Sequence, residues 1–505
     1  MSRSYLSAVL LVGSTYFLTG SMPNQLFTAS ASRAASGAQA APPQPYGALP
    51  SARQLAWHTV EVYGIMHFTP TTFENKEWGY GDADPSVFNP ADFDAEQIIR
   101  AAKAGGLRGI VLVAKHHDGF ALWPTKTTGY NITKSPFREG KGDLVREVAQ
   151  AARKNGLKFG VYCSPWDRNN AAYGTAAYLP IYQAQLRELY ANYGELFMSW
   201  HDGANGGDGY YGGAREKRSI DNTTYYDWDN TWGITRKMQP MANIFSDIGW
   251  DVRWVGNEEG HAAETSWATF TPRPPEGKNV AVPGQANYPQ SPMGIRNGEF
   301  WMPAECDVPL RKGWFYHPTE APKTPDVLFD LYLKSVGRGA GLDLGLAPDP
   351  RGQLHADDVA ALKGFGDMVQ HTFATNLAKG ARLTASNTRH KTYTPAVLLD
   401  NDHQTYWATT DDVHTPTLEM AFTSPKTFDI ISLQEYIPLG QRIEGFTIET
   451  YQNAAWTPLY TGTSIGAKRL VQLDAPVTAT KLRLSITKSP VCVALSEFGV
   501  YKKTQ

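Results

Sequence analysis

The chain has 505 residues, too many for one ordinary hydrophobic core, and therefore predicts two domains with additional segments. Its 47 basic and 49 acidic residues leave a net charge of −2, which excludes the electrostatic footprint of a nucleic-acid-binding protein. The chain contains fourteen tryptophans and 25 tyrosines, and only 19% of its residues are charged. This composition favours either aromatic core packing or a cleft that binds sugars through aromatic rings.

Residues 1–40 have the composition of a secretory leader. A mostly apolar run, 6–18, follows Arg3, and Ala38-Gln39-Ala40 forms an A-x-A-like cleavage site before Ala41. The run is too short and too interrupted to make a good membrane span. We therefore predict a signal peptide and a secreted or periplasmic protein without a membrane span. A disordered leader is the alternative.

The region from about 50 to 373 alternates short apolar runs with amphipathic segments, which predicts an α/β fold. Such alternation with about eight strands fits a (β/α)₈-like TIM barrel. A doubly wound open sheet is the alternative, although no G-x-G-x-x-G follows the first strand. We predict long loops over 206–250. The predicted strands are 62–68, 109–114, 158–164, 195–200, 243–248, 252–255, 299–305 and 341–346, and the predicted helices are 95–104, 144–154, 181–193 and 355–373.

Short β-rich runs separated by turn residues fill the region 376–505. The runs 428–433, 445–451, 470–473 and 480–486 predict an all-β sandwich, the second domain.

Asp202 is the most informative residue, because it ends the apolar run 195–200 and is followed by glycine. A buried parallel strand delivers a side chain to the mouth of a barrel in this way. Other predicted strands end similarly, so we expect one shared site at the carboxyl ends of the strands. The candidate residues are His67, Glu77, Trp78, His116, His117, Tyr162, Trp200, Asp202 and Glu258.

Two carboxylates in a pocket of uncharged rings can hydrolyse a glycosidic bond if their environments push their pKa values apart. Asp202 is one candidate carboxylate. The other is Glu258 or the adjacent Glu259, and the residue pattern alone does not distinguish between these two. The His116-His117 pair could bind a metal, but a third ligand with usable spacing is absent. The cysteines Cys163, Cys306 and Cys492 are scattered. We predict no metal in this site.

Residues 55–350 resemble the α-L-fucosidases of glycoside hydrolase family 29, through the motifs at 64–68, 77–78, 115–123, 158–164 and 336–348. The resemblance implies an exo-acting, retaining enzyme on a (β/α)₈-like barrel, with Asp202 as nucleophile. The stretches 164–170, 253–258 and 301–307 look like the subgroup that cleaves α-1,3/4-linked fucose, which implies Glu258 as acid/base. The same resemblance implies that the fucose ring is held by His67, Glu77, Trp78, His116, His117, Tyr162 and Trp314.

The C-terminal region resembles discoidin-like, galactose-binding-type modules with a jelly-roll fold. Its acidic turn at 398–407 is similar to a turn that sometimes binds calcium in those modules. The alternative is a turn capped by its own aspartates. No cofactor is expected to be required.

We therefore expect an α-L-fucosidase that releases L-fucose from fucosylated oligosaccharides or glycoprotein glycans, with Lewis-type α-1,3/1,4 linkages as substrates. A catalytically inactive carbohydrate-binding surface protein is one alternative, and a barrel glycosidase for another sugar such as galactose is the other.

Overall fold

The apolar runs form a closed barrel of eight parallel strands, in which each neighbouring pair is parallel. The computed structural model describes residues 41–274, 276–284, 288–452 and 454–504, so the predicted leader at 1–40 lies outside the described residues. The prediction of a (β/α)₈-like barrel is confirmed, and the open sheet is wrong. The strands are β1 (Val62–Met66), β2 (Gly109–Lys115), β3 (Lys158–Cys163), β4 (Met198–Trp200), β5 (Asn243–Ser246), β6 (Val252–Trp254), β7 (Ala304–Pro309) and β8 (Gly341–Leu346).

Amphipathic helices cover the outside of this barrel. The helix Leu144–Lys154 shows the cause, because the Asp143 side chain accepts the backbone N–H of Arg146 and caps its first turn. Its predicted apolar face, residues 144, 145, 148, 151 and 152, is buried. The described α-helices are Ala52–His58, Pro70–Phe73, Ala95–Ala104, Leu144–Lys154, Tyr178–Asn192, Trp228–Met238, Pro325–Lys334 and Ala356–Phe373.

Strands β5 and β6 are joined by only five residues, 247–251, without a helix. The turn is held by Asp251, whose N–H donates to the Ile244 carbonyl at 3.0 Å and whose carboxylate accepts the Ile244 N–H at 2.8 Å. Arg53 pairs with the same carboxylate at 2.9 Å. These bonds substitute for the usual crossover of a dozen or more residues between parallel strands.

Two sequence predictions in this half of the barrel are wrong. Residues 299–305 are not one strand, because Phe300–Trp301 pairs with Thr269–Phe270 in a separate antiparallel sheet, and the barrel strand begins at Ala304. The region 206–250 is not all loop, because it contains the helix Trp228–Met238 and a short pair formed by Gly207–Gly209 and Glu216–Arg218. Tertiary burial of the aromatic face around Trp232 outweighs the helix's modest intrinsic propensity.

The lower half of the barrel interior is filled by large side chains. The helix Ala52–His58 closes the amino-terminal end, where Trp57 Nε1 lies 3.2 Å from the Tyr63 hydroxyl. A Cβ on Gly341 would come within 2.6 Å of the Trp57 ring, which explains the glycine there. The barrel is therefore plugged from below, and side chains facing its upper end can form a floor.

The C-terminal residues form an antiparallel all-β domain, which confirms the predicted class. Its two long strands contain register shifts, and the predicted runs 470–473 and 480–486 belong to one of them. A separate core that includes Trp407 and Phe498 lies within this domain. The strands are Arg382–Ala385, Trp407–Ala408, Thr417–Glu435, Gly445–Gln452, Ala455–Gly462, Arg469–Lys488 and Ala494–Tyr501.

The first described residues, 41–46, lie against the β domain before the chain enters the barrel. The backbone N–H of Tyr46 donates to the Leu439 carbonyl at 3.0 Å, and Arg442 donates to the carbonyl of Gln44. Arg389 donates to the Ala41 carbonyl at 2.7 Å. This segment is therefore part of the packing of the β domain, although it precedes the barrel in sequence.

A partly buried ion pair also links the barrel to the β domain. Lys468 contacts the carboxylate of Glu61, the residue before β1, and both side chains are about one-fifth exposed. The charge of Lys468 holds the pKa of Glu61 below its usual value, although burial acts in the opposite direction.

Candidate active site

A cavity of about 330 Å³ opens at the carboxyl ends of the barrel strands. Its volume lies at the small end of the range for ligand pockets, which suits a single monosaccharide. The lining residues are Ile65, His67, Trp78, His116, His117, Tyr162, Trp200, Asp202, Gly203, Ala204, Phe245, Asp247, Trp254, Glu258, Gly284, Asp307 and Trp314.

Three histidines form part of the cavity floor. His67 follows β1, and His116 and His117 follow β2, with the first two ring centroids 5.5 Å apart. Burial lowers the pKa of His67 to about 3 and lowers the pKa values of His116 and His117 as well. The rings are therefore neutral at physiological pH. The Nδ1 atoms of His67 and His116 are buried and have no hydrogen-bond partner among the described residues.

Asp202 lies in the cavity wall two residues after β4. The Tyr162 hydroxyl donates to Oδ2 at 3.0 Å, and the backbone N–H of Ala204 donates to Oδ1 at 2.7 Å. His117 Nε2 lies 3.9 Å from Oδ2. Burial, followed by the charge of Asp202, raises the pKa of Tyr162 well above its usual value, so Tyr162 remains a donor. These contacts orient the Asp202 carboxylate.

The backbone beside Asp202 is closely packed. A Cβ on Gly203 would come within 2.7 Å of Asp247 Oδ2, so this position requires glycine. The same Asp247 oxygen accepts the N–H of Gly284 at 2.6 Å. Asp247 therefore fixes a residue of the long segment between β6 and β7 against the loop that carries Asp202.

Glu258 lies at the mouth of the cavity, in the segment after β6. Trp314 Nε1 donates to its Oε2 at 3.3 Å. Partial burial raises the pKa of Glu258, and the charge of Asp202 raises it further, while the Trp314 bond lowers it. Glu259 points elsewhere: its side chain is 75% exposed and lies 3.5 Å from His261 Nε2. The structure thus places Glu258 at the cavity and leaves Glu259 outside it.

Trp78 and Trp200 line the cavity as the sequence predicts, but Glu77 does not. The Trp78 ring is 52% exposed at the mouth and packs edge-on against His117 at 5.1 Å. The Glu77 carboxylate accepts the backbone N–H of Trp314 at 3.2 Å and faces His317 Nε2 at 3.4 Å. Glu77 therefore holds the Trp314 loop in place from behind the wall.

Several residues of the cavity wall are not among the candidates predicted from the sequence: Ile65, Phe245, Asp247, Trp254 and Asp307. Trp200 stacks on Phe245 with ring centroids 4.0 Å apart, and this pair extends the apolar floor. Asp307 lies within the quoted stretch 301–307, but the misplaced strand at 299–305 hid its position. Correct placement of β7 would have identified it as a strand-end acid.

Within the described ranges, no three His, Cys, Asp or Glu side chains are arranged closely enough to hold a metal ion. The acidic turn of the β domain is closed by its own hydrogen bonds. Asp400 accepts the Asp402 N–H and the Thr405 hydroxyl, each at 2.8 Å, and Asp402 accepts the Gln404 N–H at 2.9 Å. Among the residues whose placement is described, no helix is long and apolar enough to cross a membrane.

Residues 46–372 match the family description Alpha-L-fucosidase, and residues 382–498 match the F5/8 type C domain. The chain is 37% identical to Alpha-L-fucosidase 1 of Arabidopsis thaliana over 465 residues, which cover 91% of this chain and 88% of the relative. A crystal structure of a glycoside hydrolase 29 family member from an unknown rumen bacterium is 38% identical, with a TM-score of 0.80, over 92% of this chain and 78% of that chain.

A second similar structure is a Ruminococcus gnavus GH29 fucosidase in complex with fucose. It is 29% identical, with a TM-score of 0.80, over 92% of this chain and 97% of that chain. A closed barrel whose strand-end cavity places acidic side chains, Asp202 and Glu258 among them, between uncharged rings is typical of a barrel glycoside hydrolase. The chain belongs to the α-L-fucosidases of glycoside hydrolase family 29 and carries an F5/8 type C domain.

Proposed function

We propose that this α-L-fucosidase is exo-acting and retaining, with Asp202 as nucleophile and Glu258 as acid/base. The supporting observation is the contrast between the two carboxyl groups on one cavity. Asp202 is held by the Tyr162 hydroxyl and the Ala204 N–H, whereas burial and the nearby charge of Asp202 raise the pKa of Glu258. A nucleophile must be ionised and an acid must keep its proton, and environments that differ in this way allow both.

The reaction then has two displacement steps. In the first, an Asp202 oxygen forms a bond to C1 while the bond from C1 to the leaving oxygen breaks, and Glu258 transfers its proton to that oxygen. In the second, a water loses a proton to Glu258 and bonds to C1, which releases the Asp202 carboxylate. Fucose leaves with the original anomeric configuration, and both side chains return to their starting protonation states.

The size and chemistry of the cavity support a terminal fucose as the bound sugar. A single cavity of about 330 Å³ accepts one terminal ring better than an internal unit of a glycan. Fucose has a methyl group where galactose has a hydroxymethyl group, and Ile65 and Phe245 supply apolar lining for it. His67, His116, His117 and Tyr162 offer neutral partners to hydroxyl groups, while Trp78, Trp200 and Trp314 offer rings. Glu77 would act through its bonds to the Trp314 loop.

We assign α-1,3/1,4-linked fucose on Lewis-type branched glycans as the substrate. The support is the resemblance of 164–170, 253–258 and 301–307 to the subgroup with that preference, and these stretches supply Trp254, Glu258 and Asp307 to the cavity. The test is product analysis on a panel of α-1,2-, α-1,3- and α-1,4-fucosylated oligosaccharides. Preferential release from the last two is expected, whereas preference for α-1,2 linkages would overturn this assignment.

Proton NMR of the first-formed product tests the mechanism. We expect α-L-fucose to appear first, before mutarotation. If β-L-fucose appeared first, the double-displacement mechanism would be wrong. An aryl galactoside serves as the control substrate, since hydrolysis of it in place of the fucoside would indicate a glycosidase for another sugar. Binding of fucosylated glycans without turnover would indicate an inactive binding protein.

Two further expectations from the sequence are proposals. Export to the periplasm or medium rests on the leader at 1–40, and fractionation of the native host's cells tests it. A structural calcium in the β domain would have to draw together Asp400, Asp402 and Glu497. Burial, followed by the charges of the two aspartates, raises the pKa of Glu497 to about 7, and its buried Oε1 has no hydrogen-bond partner among the described residues. An unfolding temperature unchanged by calcium or EDTA would favour the self-capped turn.

A further inference from the structure

Asp307 is a buried acid in the cavity wall to which the double displacement assigns no role. It lies near the carboxyl end of β7, is only 4% exposed and nevertheless lines the cavity with Trp254 and Glu258. Buried aspartates are uncommon unless they are paired or functional. Because it lines the same cavity as Asp202 and Glu258, it lies beside a sugar bound there.

The contacts of Asp307 leave part of its carboxyl group available. Trp254 Nε1 donates to Oδ1 at 2.7 Å, and among the described residues no other side chain donates a hydrogen bond to Asp307 and no cation pairs with it. One oxygen is thus oriented by an indole, in a wall that faces the cavity. A buried polar group of this kind is stable when a ligand supplies its second partner.

We propose that Asp307 is a substrate-contacting residue, whose carboxyl group forms a hydrogen bond with a hydroxyl group of the sugar held in the cavity. This inference rests on the proposed function, because the sugar is the terminal fucose assigned above. It adds a polar contact from β7 to a cavity whose lining also includes imidazoles, the Tyr162 phenol and the carboxyl groups of Asp202, Asp247 and Glu258.

The surroundings of Asp307 determine the form in which it acts. Glu305 lies two residues before Asp307 on β7. The register partner of Asp307 on β8 is Asp343. Burial, followed by the charges of Glu305 and Glu258, raises the pKa of Asp307 well above its usual value. These surroundings favour the protonated, neutral form of the carboxyl group. Its carbonyl oxygen accepts from Trp254, and its hydroxyl donates to an oxygen of the sugar.

The test uses the full-length enzyme, an aryl α-L-fucoside for KM and kcat, and calorimetry with free L-fucose for Kd. We expect Asp307→Leu, which keeps the branched shape and removes both polar atoms, to raise the fucose Kd and the KM by about 10- to 100-fold. Asp307→Ala, which is smaller, provides the same comparison if the leucine variant does not fold. Asp307→Asn keeps one acceptor and one donor, so its loss should be smaller than that of either apolar variant.

Asp343→Asn is the matched control, because Asp343 is buried on the neighbouring strand but does not line the cavity. Its Kd for fucose should equal that of the wild type. A folded Asp307→Leu or Asp307→Ala variant with wild-type affinity would overturn the inference while leaving the proposed function intact. If Asp307→Asn lost as much fucose affinity as the apolar variants, Asp307 would not act as a protonated hydrogen-bond donor. A wild-type protein that neither binds nor releases fucose would overturn both proposals.

Discussion

Replacement of Glu258 by alanine is the most direct test of the division of labour at the cavity. General acid catalysis by a positioned side chain contributes about 10²- to 10⁴-fold, or about 3–5 kcal/mol of transition-state stabilisation. Glu258, the proposed acid, lies at the mouth of the cavity, with Trp314 Nε1 at 3.3 Å from its Oε2. We expect Glu258→Ala to lose that factor on a fucosylated oligosaccharide, whose leaving oxygen needs a proton.

The assay compares this substrate with a 2,4-dinitrophenyl fucoside, whose leaving group departs without protonation. For the activated substrate we expect the first step to change by less than about tenfold, so the second step becomes limiting. Azide needs no base to attack C1, and it should therefore accelerate turnover of Glu258→Ala and give fucosyl azide. Without azide, a burst of dinitrophenol should precede slow turnover.

Glu259→Ala is the matched control, because the adjacent glutamate is 75% exposed and faces only His261. An exposed pair of this kind contributes ~0–1 kcal/mol to stability, and it contacts nothing in the cavity. We expect activity within about twofold of the wild type, the size of an ordinary surface substitution. Equal losses of Glu258→Ala on both substrates would refute the acid role, and a loss confined to Glu259→Ala would transfer that role to Glu259.

Trp314→Phe removes the N–H that lowers the pKa of Glu258. The alkaline limb of the kcat/KM profile follows loss of the acid's proton, so this limb should move to higher pH. An unmoved limb would show that the Trp314 hydrogen bond does not set the pKa of the acid. Lys468→Met leaves Glu61 with Arg108, 3.7 Å away, as its remaining cation, and we expect a loss of about 1–3 kcal/mol in urea unfolding, with partial recovery when Glu61→Gln is added. Burial raises the pKa of Glu305 to about 7, above its unfolded value, so its contribution to stability is complete at low pH and is lost as the pH rises through 7. Glu305→Gln should therefore gain unfolding temperature relative to the wild type between pH 5 and 8, and a constant difference would show that the group does not titrate there.

The barrel could be predicted from the sequence because its strands are buried on both faces and read as continuous apolar runs. The stretch 109–114 is the clearest case, and every residue of β2 is buried. Asp202 followed directly, since a strand end places a side chain at the mouth. The alternation of continuous apolar runs with amphipathic segments, and not any single residue, carried this information.

The wall around Glu258 could not be predicted in the same way. Glu258 and Glu259 are adjacent in a segment without regular periodicity, so only tertiary contacts separate the one beside Trp314 from the one beside His261. Asp307 was hidden because Phe300-Trp301 is an apolar pair that pairs with another short strand. Local pattern cannot distinguish a short antiparallel pair from the start of a barrel strand.

The segment 41–46 also bears on how this enzyme could exchange modules with its relatives. The β domain takes hydrogen-bond partners from a segment that precedes the barrel in sequence, because Arg389 and Arg442 donate to the carbonyl groups of Ala41 and Gln44. A recombination event that replaced the β domain but not the segment 41–46 would pair the new domain with a segment from another protein. The hydrogen bonds between the two could then be lost. A graft of the β domain onto another barrel should therefore include the segment 41–46, because the two parts pack together although they are separated in sequence.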